Sequence, residues 1–263
     1  NHEVELLEIR FNILNDYVDK FIITEGDITF SGLPKESHYL KNKDRFKKWE
    51  DKIIHNQIKL PELNGPWDRE IYSRNAVLDL DIFEDDDLII MSDGDEIPNP
   101  EIIEHTSEWI SSDTHFTFEQ SCYAYWVNNL YSNKWFGTRA ATYEYMKNKT
   151  VDDVREGTED ESKISGSIIT NGGWHFTYLG NEDHIRQKIN SFCDRHFDVP
   201  EVTDNISKNL SEGNDVLNRS HIKYQRVDLD DSFPQYILNN QEKYSHLINC
   251  LLYTSPSPRD ATL

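Results

Sequence analysis

The stretch that most constrains the fold is residues 87–100, DLIIMSDGDEIPNP, where a short apolar run ends abruptly in acidic residues. Four consecutive apolar residues at positions 88–91 are typical of a strand buried on both faces of a parallel sheet. Gly94 permits a sharp turn after the run, while Pro98 and Pro100 prevent the strand from continuing. The stretch is therefore predicted to be a central strand that ends at a group of carboxylates.

These carboxylates belong to Asp93, Asp95 and Glu96. Open α/β sheets place their ligands at the carboxyl ends of strands. Hard oxygen donors suit Mg²⁺ or Mn²⁺, which commonly use one or two carboxylates together with substrate phosphates. A divalent ion at Asp93-x-Asp95 is therefore expected. The alternative is a solvated turn, because 48 Asp and Glu in 263 residues make chance matches such as Asp85-x-Asp87 common.

Charge and composition exclude several classes of partner. A net charge of −21 disfavours nucleic acid and anionic membranes, both of which would repel this surface. Hydrophobic content of 37% indicates a globular protein. No apolar run is long enough for a transmembrane segment, and the pattern of the first residues is not the one expected of a signal peptide. Cys122, Cys193 and Cys250 are widely spaced and odd in number, which disfavours a disulfide framework or zinc site and favours a cytoplasmic location.

Helices and strands are predicted to alternate through the first hundred residues. This alternation is typical of a parallel sheet with covering helices, which places the chain in the α/β class. The predicted elements are a helix over 4–14, strands over 17–24 and 52–60, a helix over 67–80 and a strand over 87–91.

The second half of the chain continues as a mixture of strands and helices. We interpret residues 1–250 as a single domain and residues 251–263, LLYTSPSPRDATL, as a non-native tail that resembles translated adapter sequence. The predicted elements are a helix over 100–110, one or two long strands over 114–130, an acidic loop or short helix over 151–163, a strand over 165–179 broken by Gly172-Gly173, and helices over 182–192 and 200–217.

Several separated motifs together resemble one known family. They are Glu5-Leu6-Leu7-Glu8-Ile9-Arg10, Trp67-Asp68-Arg69-Glu70 with Arg74-Asn75, Ser92-Asp93-Gly94-Asp95-Glu96-Ile97-Pro98, and the GGWHFTYLG block at 172–180. At these residues the chain, from about Glu3 to Ile248, is similar to glycosyltransferase family 17, the β-1,4-mannosyl-glycoprotein N-acetylglucosaminyltransferases and their microbial or viral relatives. The resemblance implies a GT-A fold, a Rossmann-like nucleotide-sugar domain with a mostly parallel central sheet.

The resemblance also implies an inverting, metal-dependent transfer from a UDP-sugar, with N-acetylglucosamine as the favoured sugar. The acceptor would be a hydroxyl of a glycan, glycolipid or glycoprotein. Carried over by position, Asp95 would bind Mn²⁺ or Mg²⁺, and Asp93 would reach the metal through water or touch the ribose. His175 would supply a later metal ligand, although it is equally interpreted as a core histidine under Trp174.

The same resemblance assigns the donor-binding and basic groups. Arg69 and Arg74 would face the diphosphate, with Glu25 near the base of the nucleotide. Together with Lys188, these arginines would stabilise the charge that develops on the departing phosphate. A structural ion pair is the alternative role of each. Inversion also requires a carboxylate base, for which the candidates are Glu119, Glu182 and Asp183.

Two other classes of protein are alternatives to a transferase. A non-catalytic carbohydrate-binding protein could use Trp126, Trp135 and Trp174 as sugar-stacking platforms. A phosphatase of the haloacid dehalogenase type also carries Asp-x-Asp after a strand. In such phosphatases the motif lies near the chain start and is followed by Thr or Val at the position that Ile97 occupies here.

Overall fold

The structure, a computed structural model, describes residues 2–249. The predicted tail at 251–263 and Cys250 lie outside the described residues. The helices are α1 (His2–Leu14), α2 (His38–Lys41), α3 (Pro66–Asn75), α4 (Pro100–Trp109), α5 (Tyr143–Met146), α6 (Val151–Arg155), α7 (Glu182–Ser191), α8 (Pro200–Thr203), α9 (Ile206–Glu212) and α10 (Gln235–Leu238). Short 3₁₀ segments cover Lys43–Trp49, Glu161–Lys163, Arg195–Phe197 and Ser245–Leu247.

The strands form three sheets, so the protein is mixed α/β. The strands are β1 (Phe21–Gly26), β2 (Ile53–Ile58), β3 (Leu88–Met91), β4 (Glu96–Pro98), β5 (His115–Phe118), β6 (Gln120–Ala124), β7 (Asn129–Trp135), β8 (Arg139–Thr142), β9 (Ser167–Ile169), β10 (Gly173–Thr177) and β11 (Gln225–Arg226). Strands β1 and β2 pair in parallel, from Phe21 opposite Ile53 to Gly26 opposite Ile58. The other two sheets have the strand orders β11-β7-β6-β10-β4 and β3-β8-β5-β9.

The prediction of a mostly parallel central sheet is wrong. Only β6–β10 and β5–β9 are parallel in the two larger sheets, and their other pairs are antiparallel. Strands β6 and β7 are joined by residues 125–128 alone. Such a short connection allows an antiparallel hairpin, whereas a parallel pair needs a crossover of a dozen residues or more.

The prediction that β3 is a central strand is also wrong. Among the described residues, β3 pairs only with β8 and forms one edge of the four-stranded sheet. Its continuous apolar run has a different cause. Ile89 and Met91 pack into a small cluster with α5 and α6, while Leu88 and Ile90 pack from the other face against the main core. Both faces of an edge strand are thus covered by other elements.

Most predicted elements are confirmed in type, and several differ in extent. The helix predicted over 67–80 ends at Asn75, and the one predicted over 200–217 divides into α8 and α9. The stretch 114–130 forms β5 and β6 and the hairpin leading into β7.

The largest apolar cluster joins the two ends of the described chain. It contains Ile9 and Phe11 of α1 together with Tyr244 and Leu247, and it extends under Trp174 of β10. Its members are nearly all excluded from solvent. Helix α1 is thereby fixed against the sheet that carries β4 and β10.

Two further sequence expectations concern cysteines and membrane spans. Cys122 and Cys193 are buried free thiols. Within residues 2–249, no helix combines the length and the apolar character needed to cross a bilayer.

The turn after β3 does not depend on Gly94, in contrast to the sequence interpretation. The φ angle of Gly94 is not positive, and an added Cβ would meet no atom within 4 Å. Gly173, by contrast, has a φ of 125°, and an added Cβ would lie 2.2 Å from the carbonyl oxygen of Ile97. Gly173 is therefore what allows β10 to lie directly against β4.

We expect Gly173→Ala to lower the free energy of unfolding by about 2 kcal/mol or more, because the side chain adds backbone strain and a steric clash. Gly94→Ala is the matched control and should change it by less than about 0.5 kcal/mol. Urea denaturation followed by circular dichroism measures both. Equal effects of the two substitutions would contradict the close approach of β10 and β4.

Candidate active site

The acidic loop at 92–96 is held in place by Arg10 of α1. The Nη2 atom of Arg10 donates to the Ser92 side-chain oxygen at 2.6 Å, and Nη1 donates to the carbonyl oxygens of Asp93, at 3.3 Å, and Glu96. Burial lowers the pKa of Arg10 to about 10, against the opposing effect of the nearby carboxylates. The opening motif of the chain thus supports the acidic loop from behind.

Glu96 is completely buried beneath this loop and is neutralised by Arg155. Arg155 Nη1 lies 2.9 Å from Glu96 Oε2, and Nη2 lies 2.6 Å from Oε1. Trp135 Nε1 donates to Oε1 at 2.8 Å, and the Asp93 amide donates to Oε2 at 3.0 Å. Glu96 therefore serves to shape the loop from below.

Sequence reasoning missed Arg155. It lies in α6, inside the acidic stretch that was predicted to be a loop or short helix. Its side chain is only 4% exposed. The available signal was that Arg155 is the single basic residue in 151–160, VDDVREGTED. A lone cation among acidic residues can be buried as their counterion.

Asp93 is bound by two guanidinium groups. Arg74 Nε lies 3.2 Å from Oδ1 and Arg74 Nη2 lies 3.0 Å from Oδ2, while Arg155 Nη2 lies 2.8 Å from Oδ2. Burial would raise the pKa of Asp93, but Arg155 and Arg74 outweigh it and lower the pKa to about 2. Arg74 also pairs with Glu70 at 2.8 Å. The structure thus places Arg74 in an ion-pair network with Asp93 at the wall of the site.

This network predicts a specific pH dependence of stability. A carboxylate whose pKa falls on folding from 3.8 to about 2 stabilises the protein above its unfolded-state pKa and loses that contribution as pH falls toward 2. We expect the difference in free energy of unfolding between wild type and Asp93→Asn to be constant above pH 5 and to shrink from pH 4 to 2. Urea titrations at stepped pH measure it. A difference independent of pH over this window would contradict the ion-pair assignment.

Asp95 points the other way, toward Lys188 and His175. Its Oδ2 atom lies 2.7 Å from Lys188 Nζ and 3.4 Å from His175 Nε2. The antiparallel register that places His175 opposite Glu96 brings the histidine beside the loop. Burial would raise the pKa of Asp95, but Lys188 and His175 hold it well below its usual range. The fold therefore brings together Asp95 and His175, the two residues that the resemblance implies as metal ligands.

His175 is buried between this carboxylate and the protein interior. Its Nδ1 lies 3.3 Å from Cys122 Sγ, and its ring lies 4.3 Å from the Trp135 ring, centroid to centroid. Burial would lower the pKa of His175, but the neighbouring Cys122 and Asp95 raise it well above its usual value. The aromatic neighbour of His175 is Trp135, and the burial of its ring is compatible with a core histidine as well as with a ligand.

Asp93, Asp95 and His175 are the residues predicted to bind a divalent ion. No group of three or more His, Cys, Asp or Glu side chains is arranged to hold a metal within the part of the chain that the structure describes. Asp95 and His175 nevertheless meet at a cleft, where Asp95 offers an oxygen donor and His175 would offer a nitrogen donor after losing the proton that its raised pKa favours. A divalent ion at this pair would have to complete its coordination with phosphates and water, and the metal site stays a prediction.

A cleft of about 2600 Å³ adjoins these side chains. Its walls include Arg74, Asp93, Asp95, His175 and Lys188. A carboxylate and cations facing one cavity form a surface that can bind an anionic group bridged by a metal.

Glu25 also lines the cleft, but its carboxylate is engaged by the protein. It accepts hydrogen bonds from the backbone amides of His38 at 2.9 Å and Tyr39 at 3.2 Å, and from the Ser37 hydroxyl. Burial would raise the pKa of Glu25, but these donors lower it. His55 Nε2 lies 3.0 Å away. In this structure Glu25 fixes the start of α2.

The remaining predicted residues occupy different surroundings. Arg69 donates through Nε to the carbonyl oxygen of Phe30 at 2.6 Å and does not belong to the cleft walls described above.

The three candidate bases lie in different places. Asp183, in the first turn of α7, lines the cleft. Glu182 pairs with Arg186 at 2.8 Å on the surface. Glu119 is half-buried, and its backbone bonds to Ile169 and Gly172. Their roles in binding or catalysis stay predictions.

Comparisons with known proteins agree with the sequence motifs. A relative from Homo sapiens, named beta-1,4-mannosyl-glycoprotein 4-beta-N-acetylglucosaminyltransferase, is 22% identical over 285 residues, which cover 95% of this chain and 54% of the relative. Proteins of the same name from Rattus norvegicus and Mus musculus are each 22% identical over 284 residues, 94% of this chain and 53% of the relative. The chain thus spans about half the length of the curated relatives it matches. No solved structure matches it.

The family comparison extends over almost the whole sequence. The model described as Glycosyltransferase family 17 matches residues 1–251. This match includes all of the motifs from the opening Glu5-Arg10 stretch to the GGWHFTYLG block. The chain belongs to glycosyltransferase family 17.

Proposed function

We propose that this protein transfers N-acetylglucosamine from a UDP-linked donor to a hydroxyl of a glycan acceptor, with inversion at the transferred sugar. The observation that carries the proposal is the meeting of Asp95, His175 and Lys188 at one cleft, beside the Asp93–Arg74 pair. The name shared by the curated relatives supports the sugar and the class of acceptor. A GT-A type arrangement of the nucleotide-sugar site is part of this proposal.

The cations at the cleft account for leaving-group stabilisation. When the bond between sugar and diphosphate breaks, negative charge grows on the departing phosphate oxygen. Arg74 and Lys188 line the cleft, where they contact Asp93 and Asp95 of the acidic loop, and would stabilise that charge where it develops. Lys188 must exchange its contact with Asp95 for one with phosphate as the donor binds.

Asp95 would hold Mn²⁺ or Mg²⁺ together with His175 once this histidine is deprotonated, while Arg74 and Arg155 bind Asp93 beside them. A bound divalent ion supplies Lewis-acid neutralisation of the diphosphate. The protein residues orient the diphosphate and keep the Asp95 carboxylate ionised. The low pKa of Asp95 ensures this at neutral pH.

Inversion requires a base on the acceptor side of the cleft. Of the three predicted carboxylates, Asp183 lines the cleft, so we assign it the role of accepting the proton from the attacking hydroxyl. Its place in the first turn of α7, the helix that also carries Lys188, puts base and leaving-group cation on one rigid element.

Calorimetric titration of UDP into the protein, with Mn²⁺ and then with EDTA, tests the proposal. We expect binding in Mn²⁺ that weakens at least about tenfold in EDTA, equivalent to about 1.4 kcal/mol. Turnover of UDP-N-acetylglucosamine to free UDP then tests the donor, with GDP-mannose as the control nucleotide sugar. Failure to bind UDP under either condition would reject the donor site and favour a non-catalytic carbohydrate-binding protein.

A further inference from the structure

Aromatic side chains line another part of the cleft that contains Asp95. They are Tyr131 and Trp135 of β7, Tyr178 after β10, and Tyr224 before β11. We call these four residues the aromatic wall. Tyr131, Trp135 and Tyr224 are half-buried, so part of each ring faces the cleft. Tyr131 and Trp135 lie on the same strand, whose pairing with β6 is irregular between them, and both side chains border the cleft.

The aromatic wall adjoins the groups proposed to act on the donor. The Trp135 ring lies 4.3 Å from the His175 ring, centroid to centroid. Lys188 Nζ contacts Asp95 at 2.7 Å and lies 5.2 Å from the centre of the Tyr178 ring. A sugar resting on this wall would therefore reach the site where the donor reacts.

Two tyrosines of the aromatic wall are held in place by a buried carboxylate that the proposed reaction does not use. Asp215 accepts hydrogen bonds from Tyr224 Oη at 2.5 Å and from Tyr125 Oη at 3.0 Å. Asp215 also pairs with Arg219 at a distance of 3.0 Å. The guanidinium of Arg219 in turn lies 5.6 Å from the centre of the Tyr131 ring. A surface fixed before binding loses less entropy when it meets a ligand.

Two aromatic residues here have unusual backbone geometry. Tyr178 has a φ of 52°, and Tyr125, whose ring lies 5.2 Å from that of Tyr224, has a φ of 71°. Bulky residues rarely adopt the left-handed region, and such strain is concentrated at functional sites. The fold therefore accepts a backbone cost at two tyrosines of this part of the cleft.

We propose that the aromatic wall is the acceptor subsite and that it binds a neutral oligosaccharide by stacking on the faces of its sugar rings. The proposal rests on the transferase function proposed above. Tyrosine and tryptophan offer an apolar face together with a polar edge, which matches the two surfaces of a pyranose. Arg219 adds no unbalanced positive charge to the wall, because Asp215 neutralises it. The net charge of −21 also disfavours an anionic acceptor, so a neutral oligosaccharide fits this surface best.

Saturation-transfer NMR with β-1,4-mannotriose as the probe tests this inference, and UDP titration is run on the same samples. We expect the probe to bind the wild type. Tyr131→Ala should weaken binding of the probe at least about tenfold, whereas Tyr131→Phe, which keeps the ring, should stay within about twofold. Tyr72→Ala is the matched control, because Tyr72 is an exposed tyrosine of α3 outside the cleft walls described. UDP affinity should be unchanged in all three.

The outcomes separate this inference from the proposed function. Binding of UDP without binding of the mannotriose, or binding that survives Tyr131→Ala, would overturn the acceptor subsite and leave the donor site standing. Loss of UDP binding in the wild type would reject the proposed function itself. Should Tyr131→Ala fail to fold, Tyr131→Leu tests the same point, since it retains apolar bulk without a π face.

Discussion

Replacing Asp95 with asparagine is expected to lower the rate of UDP release from UDP-N-acetylglucosamine by about 10²- to 10³-fold, the range seen when one preorganised electrostatic group is removed from an active site. The substitution keeps the shape of the side chain but removes the negative charge that faces Lys188 and His175. Asparagine would then hold a divalent ion poorly. We also expect the affinity for UDP in Mn²⁺ to fall to the level measured in EDTA.

The matched control is Asp86→Asn in the neighbouring acidic run. Asp86 is exposed and lies between the two aspartates of the chance match Asp85-x-Asp87. Its replacement should change the rate less than twofold. A rate in Asp95→Asn above half that of the wild type, in a variant with an unchanged circular dichroism spectrum, would reject the assignment of Asp95.

Replacing Arg155 with methionine is expected to lower the free energy of unfolding by about 3–5 kcal/mol, the usual cost of leaving a buried charge unpaired. Glu96 is fully buried, so its carboxylate would lose its cation without gaining solvent. For a protein of this size, the melting temperature should fall by roughly 6–20 °C, at 2–4 °C for each kcal/mol. Differential scanning calorimetry and urea denaturation measure the two quantities.

A double variant and a surface control give this prediction its specificity. Adding Glu96→Gln to Arg155→Met removes the unpaired charge and should recover about 1 kcal/mol or more of the loss. Arg195→Met removes a half-exposed arginine that pairs with Asp198, and should cost no more than about 1 kcal/mol. Similar losses in Arg155→Met and Arg195→Met would show that Arg155 does not neutralise a buried carboxylate.

The sequence alone determined the features that depend on neighbouring residues. The apolar run at 88–91 and its acidic end predicted a strand followed by a loop, and both are present. Helices α1, α4 and α7 were predicted at nearly their observed positions, because periodicity and end signals act over a few residues. The motifs were sufficient to assign family 17.

The tertiary structure decided how these elements pair. The short hairpin connecting β6 to β7 imposed antiparallel pairing, and β3 came to lie at an edge although its sequence suited a central strand. An apolar run indicates that both faces of a strand are buried. Helices and loops can cover those faces, so the strand need not lie in the centre of a sheet. Periodicity carries no information on strand order.

Tertiary structure also decided which charges meet at the site. Arg155 is 59 residues from Glu96, and Lys188 is 93 residues from Asp95, so no local pattern could predict either pair. Glu25 and Arg74 both line the cleft, and the fold joins Glu25 to the start of α2 and Arg74 to Asp93, while their roles toward the nucleotide stay predictions. Sequence determined which side chains were available for chemistry, whereas the packing of distant elements determined their partners, because ionic contacts depend on separation in space.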